Sequence, residues 1–146
     1  KNPLTSQMIH TARQINDQKP KWVVGKVIKE INKILTSSTK TKSKEITIAC
    51  FGLSFKPNID DLRESPAMEI VRKIADFHDG KVVAVEPNIE KLEGEKFHLV
   101  SMDDALEIAN ISVLLVNHDE FKNVYPKSSF IVDVKGIWPA NKSNIE

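Results

Sequence analysis

Lys56 and Arg63 sit in one short loop, between the apolar run Ile46–Phe51 and the pair Ser65-Pro66. A lysine offers a point charge, an arginine a planar fork suited to pyrophosphate, and a helix start offers unpaired N–H groups. Two cations and a helix N-terminus at the end of a strand form a place to hold phosphates. Lys56 could pair with a phosphate or a sugar hydroxyl; it could equally be an ordinary surface lysine. Ser65 reads as an N-cap with Pro66 at the first helical position, and Met68 stands where a capping box would have Glu. Gly52 supplies the tight turn after the strand, but no second glycine follows in G-x-G-x-x-G spacing, so the dinucleotide fingerprint is missing. Further on, Lys135-Gly136 follows Val-Asp-Val. The glycine permits close backbone approach, and the lysine is expected to face Lys56 across one sheet edge.

Other reactive side chains have plainer uses. Asp60 and Asp61 could form a metal pair, yet no third ligand follows at useful spacing, and orienting Arg63 is the better reading. Glu86 stands where a Rossmann domain holds a ribose hydroxyl; with Pro87 next to it and no fingerprint, a structural use is expected. Cys50 lies inside an apolar strand as a packed thiol. His10 and His78 read as surface helix positions, His98 as a strand start, and His118 with Asp119 as the cap of a turn. Trp22 and Trp138 are expected to pack.

These residues need elements to place them. Short apolar runs at 46–51, 82–85, 97–100, 111–116 and 129–133 read as strands, and 66–79 and 102–109 as helices, with a helical turn after Asp119. The helix at 66–79 should bury Ala67, Ile70, Val71 and Ile74. Strands alternating with helices imply an α/β fold, a Rossmann-like doubly wound parallel sheet. Its ligands would sit beyond the carboxyl ends of the strands, where Lys56, Arg63, Glu86, Asn117, His118 and Lys135 all fall. Upstream, Leu4, Met8, Ala12 and Ile15 share a helical face, Asp17–Pro20 should interrupt or restart the helix, and Val24, Val27, Ile28, Ile31, Ile34 and Leu35 form a second stripe. Residues 36–44 read as a polar linker. This gives a helical portion, 1–44, and an α/β domain, 45–146.

The 146 residues carry 21 Lys and Arg against 20 Asp and Glu, a net charge of +1, so no bulk field favours nucleic acid or an anionic membrane. A lone cysteine allows no internal disulfide and fits a reducing compartment. No apolar run approaches the ~20 residues of a membrane span. The chain begins at Lys1 and enters helical patterning at once, which reads as a piece of something longer.

The stretch Phe55-Lys-Pro-Asn-Ile-Asp-Asp-Leu-Arg-Glu-Ser-Pro-Ala-Met-Glu-Ile70 resembles the C-terminal domain of the UDP-glucose/GDP-mannose dehydrogenase family, in wording closest to its UDP-N-acetyl-D-mannosamine branch. The resemblance covers 46–138, and 4–35 with Ala12–Asp17 is similar to the family's last central helices. It implies that Phe55 and Lys56 lie against a bound nucleotide sugar and that Lys135 stands near it. Arg63, it implies, reaches toward NAD held mainly by another domain. The implied reaction is NAD-dependent oxidation of the C6 alcohol of UDP-N-acetyl-mannosamine to a carboxylate, in the cytoplasm, by a homodimer joined through the N-terminal helices. The family's nucleophilic cysteine and NAD fingerprint have no match here, so no catalytic residue and no metal ligand is assigned, and this stretch alone should bind without turnover. Two alternatives stand beside this reading: a related UDP-hexose 6-dehydrogenase, or a phospho-receiver domain on the strength of Asp60-Asp61 and Lys135.

Overall fold

The computed structural model describes residues 3–138 except 129, and side chains from residue 20 onward. The expected face of Leu4, Met8, Ala12 and Ile15, and the setting of His10, lie outside the described residues. Helix α1 spans Pro3–Ser37, followed by β1 (Ile48–Phe51), α2 (Pro66–Phe77), β2 (Val82–Val85), β3 (His98–Leu99), α3 (Met102–Ile108), β4 (Ile111–Leu114) and β5 (Phe130–Asp133). All five strands pair in parallel, in the order β3-β2-β1-β4-β5. The sheet is the Rossmann-like one that the alternation implies. A receiver domain would order its strands 2-1-3-4-5. The residue nearest its phosphoacceptor position, Asp103, lies instead in the first turn of α3.

Period-two alternation explains why both faces are covered. Ile48, Cys50, Val82, Ala84, Ile111 and Val113 face α1 and α2. Ala49, Phe51, Val83, Val85 and Leu114 face Ala105 of α3, Phe121 and Trp138. Helix α2 begins as expected, with the Ser65 hydroxyl accepting the Met68 N–H at 3.3 Å and Pro66 at the helix start. It buries Ala67, Met68, Ile70, Val71 and Ile74.

Some expectations are overturned. Helix α1 passes through Pro20 without a break. The proline removes one ladder hydrogen bond, and buried Val23, Val27 and Ile31 in the following turns hold the helix on the sheet core. The buried stripe therefore runs through Val23, and Ile28 is 41% exposed. Trp22 is exposed as well, with the Lys26 ammonium 5.0 Å from its ring centre one turn away. His78 is buried, because it ends α2 and turns under to donate from Nε2 to the Ile46 carbonyl at 2.7 Å. The fourth strand stops at Leu114, and Leu115 and Val116 stay apolar because they leave the sheet into a cleft wall.

Gly52 decides how closely the central turn packs. Its φ is +98°, and a Cβ there would fall 2.5 Å from the Val116 Cβ and 2.8 Å from its backbone nitrogen. We expect Gly52→Ala to cost at least about 2 kcal/mol, from a left-handed backbone and a clash that no side-chain motion relieves. Urea unfolding of the two chains measures it, and an unchanged midpoint contradicts this account of the turn.

Candidate functional site

Strand β1 is paired on one side with β2 and on the other with β4, so the chain direction of the windings reverses at the β1–β4 gap. In open α/β sheets that gap opens a crevice at the carboxyl ends. Here it is a cleft of about 510 Å³, bounded by the turn after β1, the start of α2 and the segments after β4 and β5. Phe55, Glu64, Asn117 and Lys135 line it, and so does Pro20 of α1. A second concavity, about 420 Å³, is lined by Phe55, Asp61, Arg63 and Glu64. Phe55 and Glu64 thus form a wall common to both.

Phe55 and Lys135 share this cleft, whereas Lys56, expected to face Lys135 across the edge, does not line it. The Lys56 ammonium stands 6.0 Å from the Phe55 ring centre, beside the common wall. Arg63 belongs to the second concavity, 88% of its side chain exposed. The main cleft is also less cationic than the sequence implies, because Glu64 and Glu69 line it together with Lys135. It offers acceptors for hydroxyl or amide groups as well as a cation for a phosphate. Glu64 holds a left-handed φ of +53°, a conformation unusual for glutamate, at the border of the two concavities.

Each cation-bearing turn is built around a carboxylate. Asp61 accepts from Arg63 three times: Nε at 3.0 Å, Nη2 at 3.1 Å and the backbone N–H at 3.0 Å. The side-chain hydrogen bond to Arg63 is the chief cause that holds the Asp61 carboxyl below its usual range. Its carboxylate orients the Arg63 guanidinium, and among the described residues no group of three potential metal ligands is found. Asp133, at the end of β5, accepts the backbone N–H groups of Lys135 at 2.9 Å, Gly136 at 2.7 Å and Trp138 at 2.8 Å. That fixes the Lys135-Gly136 turn.

Glu86 holds the third. It is buried, and its Oε1 accepts the N–H groups of Leu53 at 2.9 Å and Ser54 at 3.0 Å. Its Oε2 accepts from Asn88, backbone and side chain, and His118 Nε2 lies 2.8 Å from Oε1. The Asn58 N–H donates to His118 Nδ1 at 2.8 Å, so that nitrogen carries no proton and Nε2 is the donor to Glu86. As expected, His118 stands at the N-cap of the turn Asp119–Phe121, its carbonyl accepting the Phe121 N–H at 3.0 Å, but its side chain makes no capping bond and lies fully buried. The Asp119 N–H goes to the Asn58 side chain at 3.0 Å, which leaves the imidazole for Glu86. Burial pushes the Glu86 carboxyl up, but hydrogen bonds from His118, Leu53 and Asn88 outweigh it and hold the group below the ordinary range.

Cys50 is fully buried in β1, and burial pushes its thiol up to about 12, so it is no nucleophile. The edge does not fit NAD as a Rossmann site would. Gly52 packs against Val116 where a phosphate would approach, and the acid after β2 that would take a ribose hydroxyl is consumed by backbone N–H groups and His118.

Sheet order, crevice and cation-bearing turns define a Rossmann-like ligand-binding domain without its own dinucleotide turn. Residues 49–140 match the UDP binding domain of the UDP-glucose/GDP-mannose dehydrogenase family, and the chain belongs to that family. It is 48% identical to a UDP-N-acetyl-D-mannosamine dehydrogenase of Yersinia pestis, an alignment that takes in 94% of this chain and 34% of that protein. It is 41% identical to an NDP-N-acetyl-D-galactosaminuronic acid dehydrogenase of Ralstonia solanacearum, over 96% of this chain and 32% of the other. Among solved structures, a UDP-N-acetyl-mannosamine dehydrogenase from S. aureus superposes with a TM-score of 0.73 at 28% identity, over 97% of this chain and 32% of that one. The chain thus spans about a third of the length of the relatives it matches.

A group whose folded pKa is depressed adds stability above its unfolded pKa, ~4.3 for glutamate, and loses it as pH falls through the folded value. Stability should therefore decline on acidification below about pH 4–5, with Glu86→Gln lacking its share of that decline. Urea midpoints from pH 7 down to pH 3 measure the difference, and parallel profiles for the two chains would show that Glu86 does not titrate with folding.

Proposed function

We propose that this chain is the nucleotide-sugar-binding portion of a UDP-N-acetyl-D-mannosamine dehydrogenase, with Phe55, Lys56 and Lys135 on the substrate. Family membership and the 48% identity to a dehydrogenase of that name support the reading. The observation that carries it is the crevice at the β1–β4 gap, lined by Phe55 and Lys135 and bordered by the Lys56 turn. In this reading the diphosphate lies among Lys56, Lys135 and the start of α2, while sugar or ribose hydroxyls meet Glu64 or Glu69. Phe55, 48% exposed, covers the ligand from the side shared by both concavities.

The intact enzyme would oxidise the C6 alcohol of UDP-N-acetyl-mannosamine to a carboxylate, with NAD as oxidant. NAD would be bound by another part of that enzyme, since the β1 turn and Glu86 are committed elsewhere. Arg63, oriented by Asp61 and directed outward, would reach the dinucleotide from this side. Residues 1–44 would be helices of a central dimerisation domain, and 45–146 the binding domain. The assembly would be a homodimer of the cytoplasm that feeds polysaccharide biosynthesis. Among the described residues no helix is long and apolar enough to cross a membrane. By itself the chain should bind and not turn over, in keeping with the buried thiol of Cys50.

Titration calorimetry with UDP and with UDP-N-acetyl-mannosamine tests the reading. Lys56→Ala removes one charge-assisted hydrogen bond, about 1.5–3 kcal/mol, and should weaken binding roughly 10- to 100-fold. Equal affinity in the variant, or no binding by the parent chain, sinks the assignment.

A further inference from the structure

Between β1 and α2 the chain runs from Gly52 to Ser65 without regular helix or strand, and this segment carries Phe55, Lys56 and Arg63. A segment of that length is free to sample many conformations unless something holds its backbone. Bonds inside the segment and bonds from outside hold it: the Phe55 N–H donates to the Asp61 carbonyl at 2.9 Å, the Ser65 hydroxyl to the Leu53 carbonyl at 2.6 Å, and the Asp119 N–H to the Asn58 side chain at 3.0 Å. The Leu53 and Ser54 N–H groups end on Glu86, and the Asn58 N–H ends on His118. The Ser54 hydroxyl donates to the Lys56 carbonyl at 2.6 Å and lies 3.2 Å from His118 Nε2. Glu86 and His118 are themselves joined, with both side chains 0% exposed.

Two features set this pair apart from ordinary core filling. A buried carboxylate and imidazole cost more to bury than an apolar pair of the same size, so packing alone does not call for them. And Glu86 comes from the end of β2 and His118 from beyond β4, yet Oε1 of the one and Nδ1 of the other both accept from the segment that follows β1, the strand lying between those two. The bonds to Ser54 and Asn58 bracket Lys56, two residues to either side. The imidazole is further held by Phe121, whose ring stands edge-on at 5.4 Å.

We propose that Glu86 and His118 are positioning residues for the bound nucleotide sugar: they touch no ligand, and they hold the Phe55-Lys56 turn in its binding geometry. The inference rests on the nucleotide-sugar reading above. In the absence of the pair the turn still forms part of a folded sheet, but Lys56 no longer stands where the diphosphate meets it, so ordering the turn is charged against each binding event.

The test is a double-mutant cycle on the full chain, read by UDP calorimetry, with melting temperature and amide exchange at Asn58 followed in parallel. His118→Ala should weaken UDP binding roughly tenfold and speed exchange of the Asn58 amide. Adding Lys56→Ala should bring the loss only to that of Lys56→Ala alone, short of the product of the two single losses, because both changes act through one ammonium group. His118→Gln, which restores an N–H for Glu86 and an oxygen for Asn58, should recover most of the affinity. If the alanine chain does not fold, His118→Phe keeps a ring against Phe121 while removing both nitrogens, and enters the same cycle. Additive losses, or UDP affinity unchanged in His118→Ala or His118→Phe, overturn the positioning role while leaving the nucleotide reading intact. A parent chain that ignores UDP overturns both.

Discussion

The carboxylate of Glu86 is the point on which the carboxyl edge of this sheet depends. A charge in the interior is tolerable only when its lone pairs are filled, and here backbone N–H groups, an asparagine and an imidazole fill them. The donors come from three separate connections, after β1, β2 and β4. One acid therefore ties together loops that would otherwise be independent, and it does so beneath the cleft instead of inside it. Asp61 and Asp133 repeat the device on a smaller scale for Arg63 and Lys135. Asp133 spends its oxygens on backbone N–H groups alone, while Asp61 holds both the backbone and the guanidinium of Arg63.

The same arrangement separates this sheet from the dinucleotide-binding kind. In the usual version the first turn is open and glycine-rich, and the acid after the second strand faces a ribose. Here Gly52 is pressed against Val116, and the acid is withdrawn into the loop beneath. The crevice survives because it follows from strand order, while its lining has changed from glycine backbone to Phe55, Asn117, Glu64 and Lys135. Family membership accords with this, since the matched region is a UDP binding domain.

Much of the fold was legible because it is written locally. Short apolar runs bounded by polar residues became strands, β2 with the bounds expected, and Ser65-Pro66 opened a helix. The ends were less so: β4 was taken two residues too long, since Leu115 and Val116 are apolar for the sake of the cleft wall and not of the sheet. What stayed hidden is non-local. Nothing near His118 announces that its partners are Glu86 and Asn58, 32 and 60 positions away in the chain. Asp133 looked like one residue of a strand, and its three N–H partners become visible only when the next turn folds back on it. Pro20 misled in the opposite sense, for a local rule against proline in helices lost to the packing of Val23, Val27 and Ile31. Trp22 and His78 exchanged their expected environments because neither hydrophobicity nor titratability says which way a helix end will turn.

The central strand carries the chain's single sulfhydryl sealed among aliphatic neighbours, protonated at any physiological pH. Thiol-directed alkylating agents and maleimide dyes consequently find no thiol to modify while the sheet is intact. A fluorophore introduced at a surface cysteine would report from one address only, and uptake of label by the unaltered chain would time its unfolding.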